Sequence, residues 1–227
     1  MFRIKICGLT SVEDTQAVVA AGADALGLNF YEKSSRFVAA QVAEQIVASI
    51  PSTVAKVGVF VNASEKYIRN QVENLQLNYV QLHGDEPPAF LLALANLKLI
   101  KAFRVGPEGI ACVDKYLSEC QQLGRLPNAI LLDAFSRTAY GGTGQTIDWN
   151  AVCDLRKSWA TMPIILAGGL NPENVEQAIL AAQPTAVDTA SGVESSPGVK
   201  DHSKIAAFVM AAEKSFAHLV APHAPNN

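Results

Sequence analysis

Eight short apolar runs, each followed by a segment with helix start and stop signals, leave this chain few ways to fold. The runs are Phe2–Cys7, Ala25–Phe30, Val54–Val61, Tyr79–Leu82, Leu97–Phe103, Asn128–Asp133, Pro163–Ala167 and Thr185–Thr189. The first alternates with period two, placing Phe2, Ile4 and Ile6 on one face and Arg3, Lys5 and Cys7 on the other. Between the runs lie helical segments. Ser11 caps one that reaches Ala21, with Asp14 in the capping-box position and Gly22 as its stop. Others span Ala39–Ser49, Glu65–Asn74 (capped by Asn62 or Ser64), a segment opened by Pro87 and Pro88, and Pro107–Gln122. Asp148 starts the sixth, Asn171 and Pro172 cap and start the seventh, and the last runs over His202–Ala217. Residues 218–227 read as a frayed tail. Strand and helix in strict alternation demand a parallel sheet. Eight units in 227 residues, with no Pro/Ser-rich linker or shift of composition, match one closed (β/α)8 TIM barrel over residues 1–217. The alternative is an open doubly wound sheet.

Composition narrows the function classes. The chain is 49% hydrophobic and 17% charged, with a net charge of −3, which suits a globular domain with a sizeable core. No basic block interleaved with aromatics points to nucleic acid. No apolar run of about 18 residues points to a membrane, and no secretory signal pattern opens the chain, so a cytoplasmic location is expected. Cys7, Cys112, Cys120 and Cys153 form no Cys-x-x-Cys pair and do not cluster with the four histidines, which argues against a zinc site and a disulfide framework.

In a barrel the active site lies at the carboxyl ends of the strands. Those ends carry Cys7, Gly8, Asn29, Asn62, His83, Arg104, Asp133, Gly168, Gly169, Ser191 and Gly192. Asp133 ends a buried run, where an unpaired carboxylate is costly to bury. A glycine-bearing loop with Gly141, Gly142 and Gly144 follows it, fitting neither a Walker lysine loop nor a dinucleotide fingerprint. Glycines after strands seven and eight let phosphate oxygens approach bare N–H groups, so Gly168, Gly169, Ser191 and Gly192 form the expected phosphate end. Cys7 and Asp133 form a candidate base and acid, with Lys5 two residues before Cys7 to stabilise a thiolate. His83 is the rival base. Arg36 is suited to fork a carboxylate.

Across almost its whole length the sequence resembles the phosphoribosylanthranilate isomerase family. The stretches that carry the resemblance are KICGLT (5–10), GLNFYEKSSRFV (27–38), VGVFVN (57–62), QLHGDE (81–86), LLDAFSRTAYGGTGQTIDW (131–149), LAGGLNPENV (166–175) and VDTASGVESSPGVKD (187–201). The resemblance implies a cofactor-free Amadori rearrangement of N-(5′-phosphoribosyl)anthranilate to the 1-deoxyribulose 5-phosphate, in a cytoplasmic monomer or homodimer. It implies Cys7 as general base, Asp133 as general acid, and Arg36 at the anthranilate carboxylate. The phosphate loops fall on Gly142, Gly144, Gly168, Gly169, Ser191 and Gly192. Two positions depart from the family pattern. Ser35 stands where proline is frequent before the arginine, implying a looser loop, and Ala190 stands where a serine is more usual. The competing readings are a phosphosugar epimerase, which would want more histidine ligands at the strand ends, and a non-catalytic phosphosugar-binding barrel, which has no need of both Cys7 and Asp133. Inside the barrel, Arg3 and Lys5 are expected to face inward, and Asp188 on the adjoining eighth strand is the expected partner of Lys5.

Overall fold

The apolar runs form the eight parallel strands of a closed barrel in the order β1 to β8, each paired with its chain neighbours and β8 pairing back onto β1. The computed structural model describes residues 1–106, 109–134 and 149–220. The strands are β1 (Ile4–Cys7), β2 (Ala25–Asn29), β3 (Ala55–Phe60), β4 (Tyr79–Leu82), β5 (Leu99–Val105), β6 (Ala129–Ala134), β7 (Ile164–Leu166) and β8 (Ala186–Thr189). Around them lie α1 (Val12–Ala20), α2 (Ala40–Ala48), α3 (Glu65–Leu75), α4 (Phe90–Ala93), α5 (Ala111–Gln122), α6 (Trp149–Ser158), α7 (Val175–Ala182) and α8 (His202–Val220).

Two apolar layers hold this together. The larger fills the space between strands and helices, with Ile4, Ile6, Leu26, Leu28, Phe60, Leu82, Leu132 and Phe208 among its members. A second cluster fills the barrel itself: Phe2, Ala25, Val57, Ile100, Ala102, Ala129, Leu131, Ile165, Ala167 and Ala186. Period-two alternation sorts each strand between the two layers. It also aims the next inward positions, among them Lys5, Cys7, Gln81, Asp133 and Asp188, toward the carboxyl end.

Lys5 and Asp188 are direct neighbours in the β1–β8 register, and their charged ends meet at 2.9 Å inside the barrel, as expected. Arg3 does not join them. It is exposed, with its guanidinium over the Phe216 ring, while Phe2 takes the interior place. The reason is that β1 begins only at Ile4, so the alternation does not extend back to Arg3.

Helix starts follow local chemistry where capping side chains exist. The Ser11 and Ser64 side chains accept from the N–H groups of Asp14 and Tyr67. Asn62 is not a cap; it sits in a left-handed conformation at φ 50° and its side chain accepts from the N–H of Asp85. Asn171 forms a turn instead of a cap, accepting from Glu173 and Asn174, so α7 starts at Val175. The segment after Pro88 yields only the four-residue α4. Strand β5 lies two residues later than its apolar run suggests, which brings Arg104 into the sheet beside Asp133. Helix α8 continues to Val220, past the expected stop at Ala217. Between β8 and α8 the chain adds a 3-10 turn, Ser191–Val193, and a small hairpin of β9 (Glu194–Ser196) and β10 (Val199–Lys200).

Candidate functional site

The strand ends deliver a cluster of ionisable groups to one mouth of the barrel. Cys7 ends β1, and its sulfur lies against β2, where a Cβ on Gly27 would come within 2.6 Å of it. A residue larger than glycine there would displace the thiol. Lys5, fully buried, lies below it and faces both Cys7 and Asp188. Burial pulls the Lys5 pKa down, but the Asp188 carboxylate and the Cys7 sulfur more than offset this, and the net shift is upward. Burial raises Cys7, and the pull of Lys5 and Lys200 does not cancel it. Burial likewise raises Asp188 against the pull of Lys5. One cation thus faces two acids that each resist ionising. The Lys5–Asp188 contact is an ion pair that falls short of an aligned hydrogen bond. The Lys5 ammonium opposes the rise in both acids and lies 2.9 Å from Asp188.

On the other side of the mouth, Asp133 and His83 approach each other, with Nε2 and Oδ2 3.4 Å apart. The second ring nitrogen of His83, Nδ1, is 3.2 Å from the Gln81 side-chain amide. Both side chains are only partly covered, at 21% and 27% exposure, so each is accessible to a ligand. Asp188 feels the charges of Asp133 and His83 as well as that of Lys5, so the cysteine side and the aspartate side share one electrostatic environment. His83 is held from below. Its N–H donates to Phe60, and the Gly84 N–H next to it donates to Glu86, whose carboxylate is paired with buried Lys101 at 2.8 Å.

The loops after β7 and β8, where phosphate is expected, come together physically. The Thr189 hydroxyl donates to the Leu170 carbonyl at 2.6 Å, linking the loops after β7 and β8. Gly168 and Gly169 both have positive φ, 82° and 68°. A Cβ on Gly192 would overlap the Leu170 carbonyl, so glycine is what lets Ser191 and Gly192 pack beside them. Gly142 and Gly144, assigned to the same end, lie outside the described residues.

Arg36 stands in the loop after β2. That loop is well tied despite Ser35: the Ser34 hydroxyl accepts from the Arg36 N–H and from the Asn29 side chain, and Val38 donates to Asn29. The Arg36 guanidinium already forks one carboxylate. Its Nε and Nη2 donate to the two oxygens of Glu194, each at 2.7 Å. Glu194 also accepts from Lys200, whose ammonium donates in addition to the carbonyls of Cys7 and Ala190. Sequence reading found neither Glu194 nor Lys200, although Pro197 and Gly198 mark the turn that presents them.

Among the described residues no group of three or more His, Cys, Asp or Glu is arranged to hold a metal, and no helix is long and apolar enough to cross a membrane.

The family model for N-(5'-phosphoribosyl)anthranilate isomerase matches residues 4–211. An N-(5'-phosphoribosyl)anthranilate isomerase of Geobacter sp. (strain M21) is 42% identical over 215 residues, covering 94% of this chain and 99% of the relative. The crystal structure of phosphoribosyl anthranilate isomerase from Thermotoga maritima superposes with a TM-score of 0.83 at 39% identity, over 94% of this chain and all of that one, 100%. A second solved structure of such an isomerase, in complex with reduced 1-(o-carboxyphenylamino)-1-deoxyribulose 5-phosphate, aligns with a TM-score of 0.79 at 38% identity, again over 94% of this chain and 100% of the other.

Proposed function

The chain belongs to the N-(5'-phosphoribosyl)anthranilate isomerase family and carries out that isomerisation in tryptophan biosynthesis, and from this we propose how its own residues divide the chemistry. Asp133 is the general acid and protonates the furanose ring oxygen as the C1′–O bond breaks. The anilino nitrogen lone pair then completes a C1′=N bond, giving an open-chain iminium. Cys7, as thiolate, removes the C2′ proton made acidic by that iminium. The C2′–H electrons form C1′=C2′, and the iminium electrons return to nitrogen. The resulting enolamine relaxes to the C2′ ketone as C1′ gains a proton and the enol oxygen loses one. The substrate's own nitrogen is the electron sink.

The observation that carries this reading is the polarity of the mouth. A thiol with a buried ammonium beneath it stands on one side, and a partly exposed carboxyl beside an imidazole stands on the other, linked electrostatically through Asp188. Lys5 is the group that makes thiolate attainable, since its charge is the main opponent of the desolvation that raises Cys7. His83 borders Asp133 and orients it on the substrate side. Phosphate is assigned to the N–H groups around Gly168, Gly169, Ser191 and Gly192, and by the family resemblance to Gly142 and Gly144, which lie outside the described residues. The anthranilate carboxylate is assigned to Arg36. Because Nε and one Nη2 proton are committed to Glu194, the contact uses the end-on edge, Nη1 and the other Nη2 proton.

The test follows loss of substrate fluorescence with purified protein. Wild type turns over phosphoribosylanthranilate, and Cys7→Ser and Asp133→Asn each lose about 10²- to 10⁴-fold in kcat. Near-wild-type kcat in both variants, with only a His83 variant inactive, transfers the base role to His83.

A further inference from the structure

The hairpin between β8 and α8 reaches back over the mouth and inserts two charged side chains that the reaction scheme does not use. Glu194 is buried, 7% exposed, and Lys200 is buried, 4% exposed. The hairpin is fastened on its outer side, where Thr10 donates to the Gly198 carbonyl and the Lys200 N–H donates to Asp14. Its inner side is fully engaged. Each Glu194 oxygen accepts from one edge nitrogen of Arg36, and Oε1 also accepts from Lys200 at 2.9 Å. Lys200 has three acceptors around Nζ, including the Cys7 carbonyl at 2.7 Å and the Ala190 carbonyl at 2.9 Å. Three acceptors call for the three N–H donors that only the ammonium form has. The stem of Arg36 is confined too, because its Cδ lies where a Cβ on Gly8 would come within 2.5 Å.

We infer that Glu194 is a positioning residue for substrate recognition: it locks the side edge of Arg36 so that only the end-on edge faces the anthranilate carboxylate. The inference rests on the assignment of Arg36 to that carboxylate. A long guanidinium side chain has much rotamer freedom to lose, and a preset fork has surrendered it before the substrate arrives. The charges sort out as well. Buried Lys200, partly buried Arg36 and one anion leave a single positive charge, which matches one incoming carboxylate. Without Glu194, Arg36 and Lys200 would repel each other.

The experiment measures kcat and KM for Glu194→Gln, Glu194→Asp, Arg36→Ala and the double variant Arg36→Ala/Glu194→Gln, with circular dichroism as the check of folding. Glu194→Gln raises KM about tenfold and leaves kcat within about twofold, the split expected for lost uniform binding. The double variant has the KM of Arg36→Ala, since Glu194 acts only through Arg36. Glu194→Asp keeps the charge but is one methylene short of both nitrogens, so KM rises at least about threefold; this variant decides the matter if Glu194→Gln does not fold. An unchanged KM in Arg36→Ala removes Arg36 from recognition and overturns the inference with it. A raised KM in Arg36→Ala with an unchanged KM in the folded Glu194 variants overturns the inference alone, as does a double variant in which the two effects multiply.

Discussion

If Asp133 is the acid and Cys7 the base, isotope effects separate the two roles. In Cys7→Ser the base has become an alcohol too weakly acidic to ionise, so C–H cleavage limits turnover and deuterium at C2′ slows it. In Asp133→Asn ring opening limits, and the deuterium effect shrinks toward unity. Equal isotope effects in the two variants would contradict the division. Because burial raises the Cys7 pKa above the ordinary thiol value of about 8.5, kcat/KM climbs as pH rises above neutral in the free enzyme. Lys5→Met removes the nearest stabilising charge, and the rising limb moves to higher pH. A profile that stays in place shows that Lys5 does not tune the thiol. The same substitution leaves Asp188 buried without its partner and costs about 3–5 kcal/mol, measurable by denaturant unfolding; a second change, Asp188→Leu, restores most of it. The residues of this centre were readable because a barrel converts chain position into spatial position. Every inward residue at a strand end must face the same mouth. What the sequence did not disclose was that Arg36 is already engaged, because its partner sits 158 residues away in a hairpin.

At the scale of elements, the alternation of apolar runs and capped helices located all eight strands, since burial on both sides forces continuous apolar runs. The misses have particular causes. β5 runs on through Arg104 because its inward positions at the mouth can be polar and still belong to the sheet. α7 starts late because Asn171 closes its own turn first. The β9–β10 hairpin is three residues against two, too short to show any period, and its polar side chains look like loop. One element-level contact invites a direct test. Gly192→Ala places a methyl group on the Leu170 carbonyl and pushes the loops after β7 and β8 apart. Overpacking of this kind costs about 1–3 kcal/mol. If these loops hold the phosphate, KM rises at least about tenfold, while Ala190→Ser, which adds only a hydroxyl, leaves KM unchanged or lower. Wild-type KM in a folded Gly192→Ala enzyme would remove this loop pair from phosphate binding.

For the molecule as a whole, the charged centre contributes to pH-dependent stability. Burial alone would raise the Glu194 pKa, but the forked Arg36 and Lys200 overcome it, and the carboxyl lies below its ordinary value. A carboxyl depressed in the folded state stabilises the fold above its unfolded pKa of about 4.3. That stability is lost as pH falls from there through the folded pKa. Wild type therefore loses more stability between pH ~5 and the acid limit than Glu194→Gln does, as urea midpoints across that range will show; parallel curves would mean that Glu194 is not held ionised.

The seam between β1 and β8 has a consequence for biosynthesis on the ribosome. Cys7 emerges long before the groups that support it, Asp188 through Lys5 and Lys200 through its carbonyl; Lys200 follows Cys7 by 193 residues. Domains fold as units while synthesis proceeds at about 5–20 residues per second, so for roughly 10–39 s after Cys7 is made its sulfur has no finished environment. A nascent chain stalled before Lys200 carries a cysteine open to thiol-labelling reagents, and extension past Lys200 and α8 closes it. The order of translation thus leaves the surroundings of Cys7 unfinished until the β9–β10 hairpin has been made.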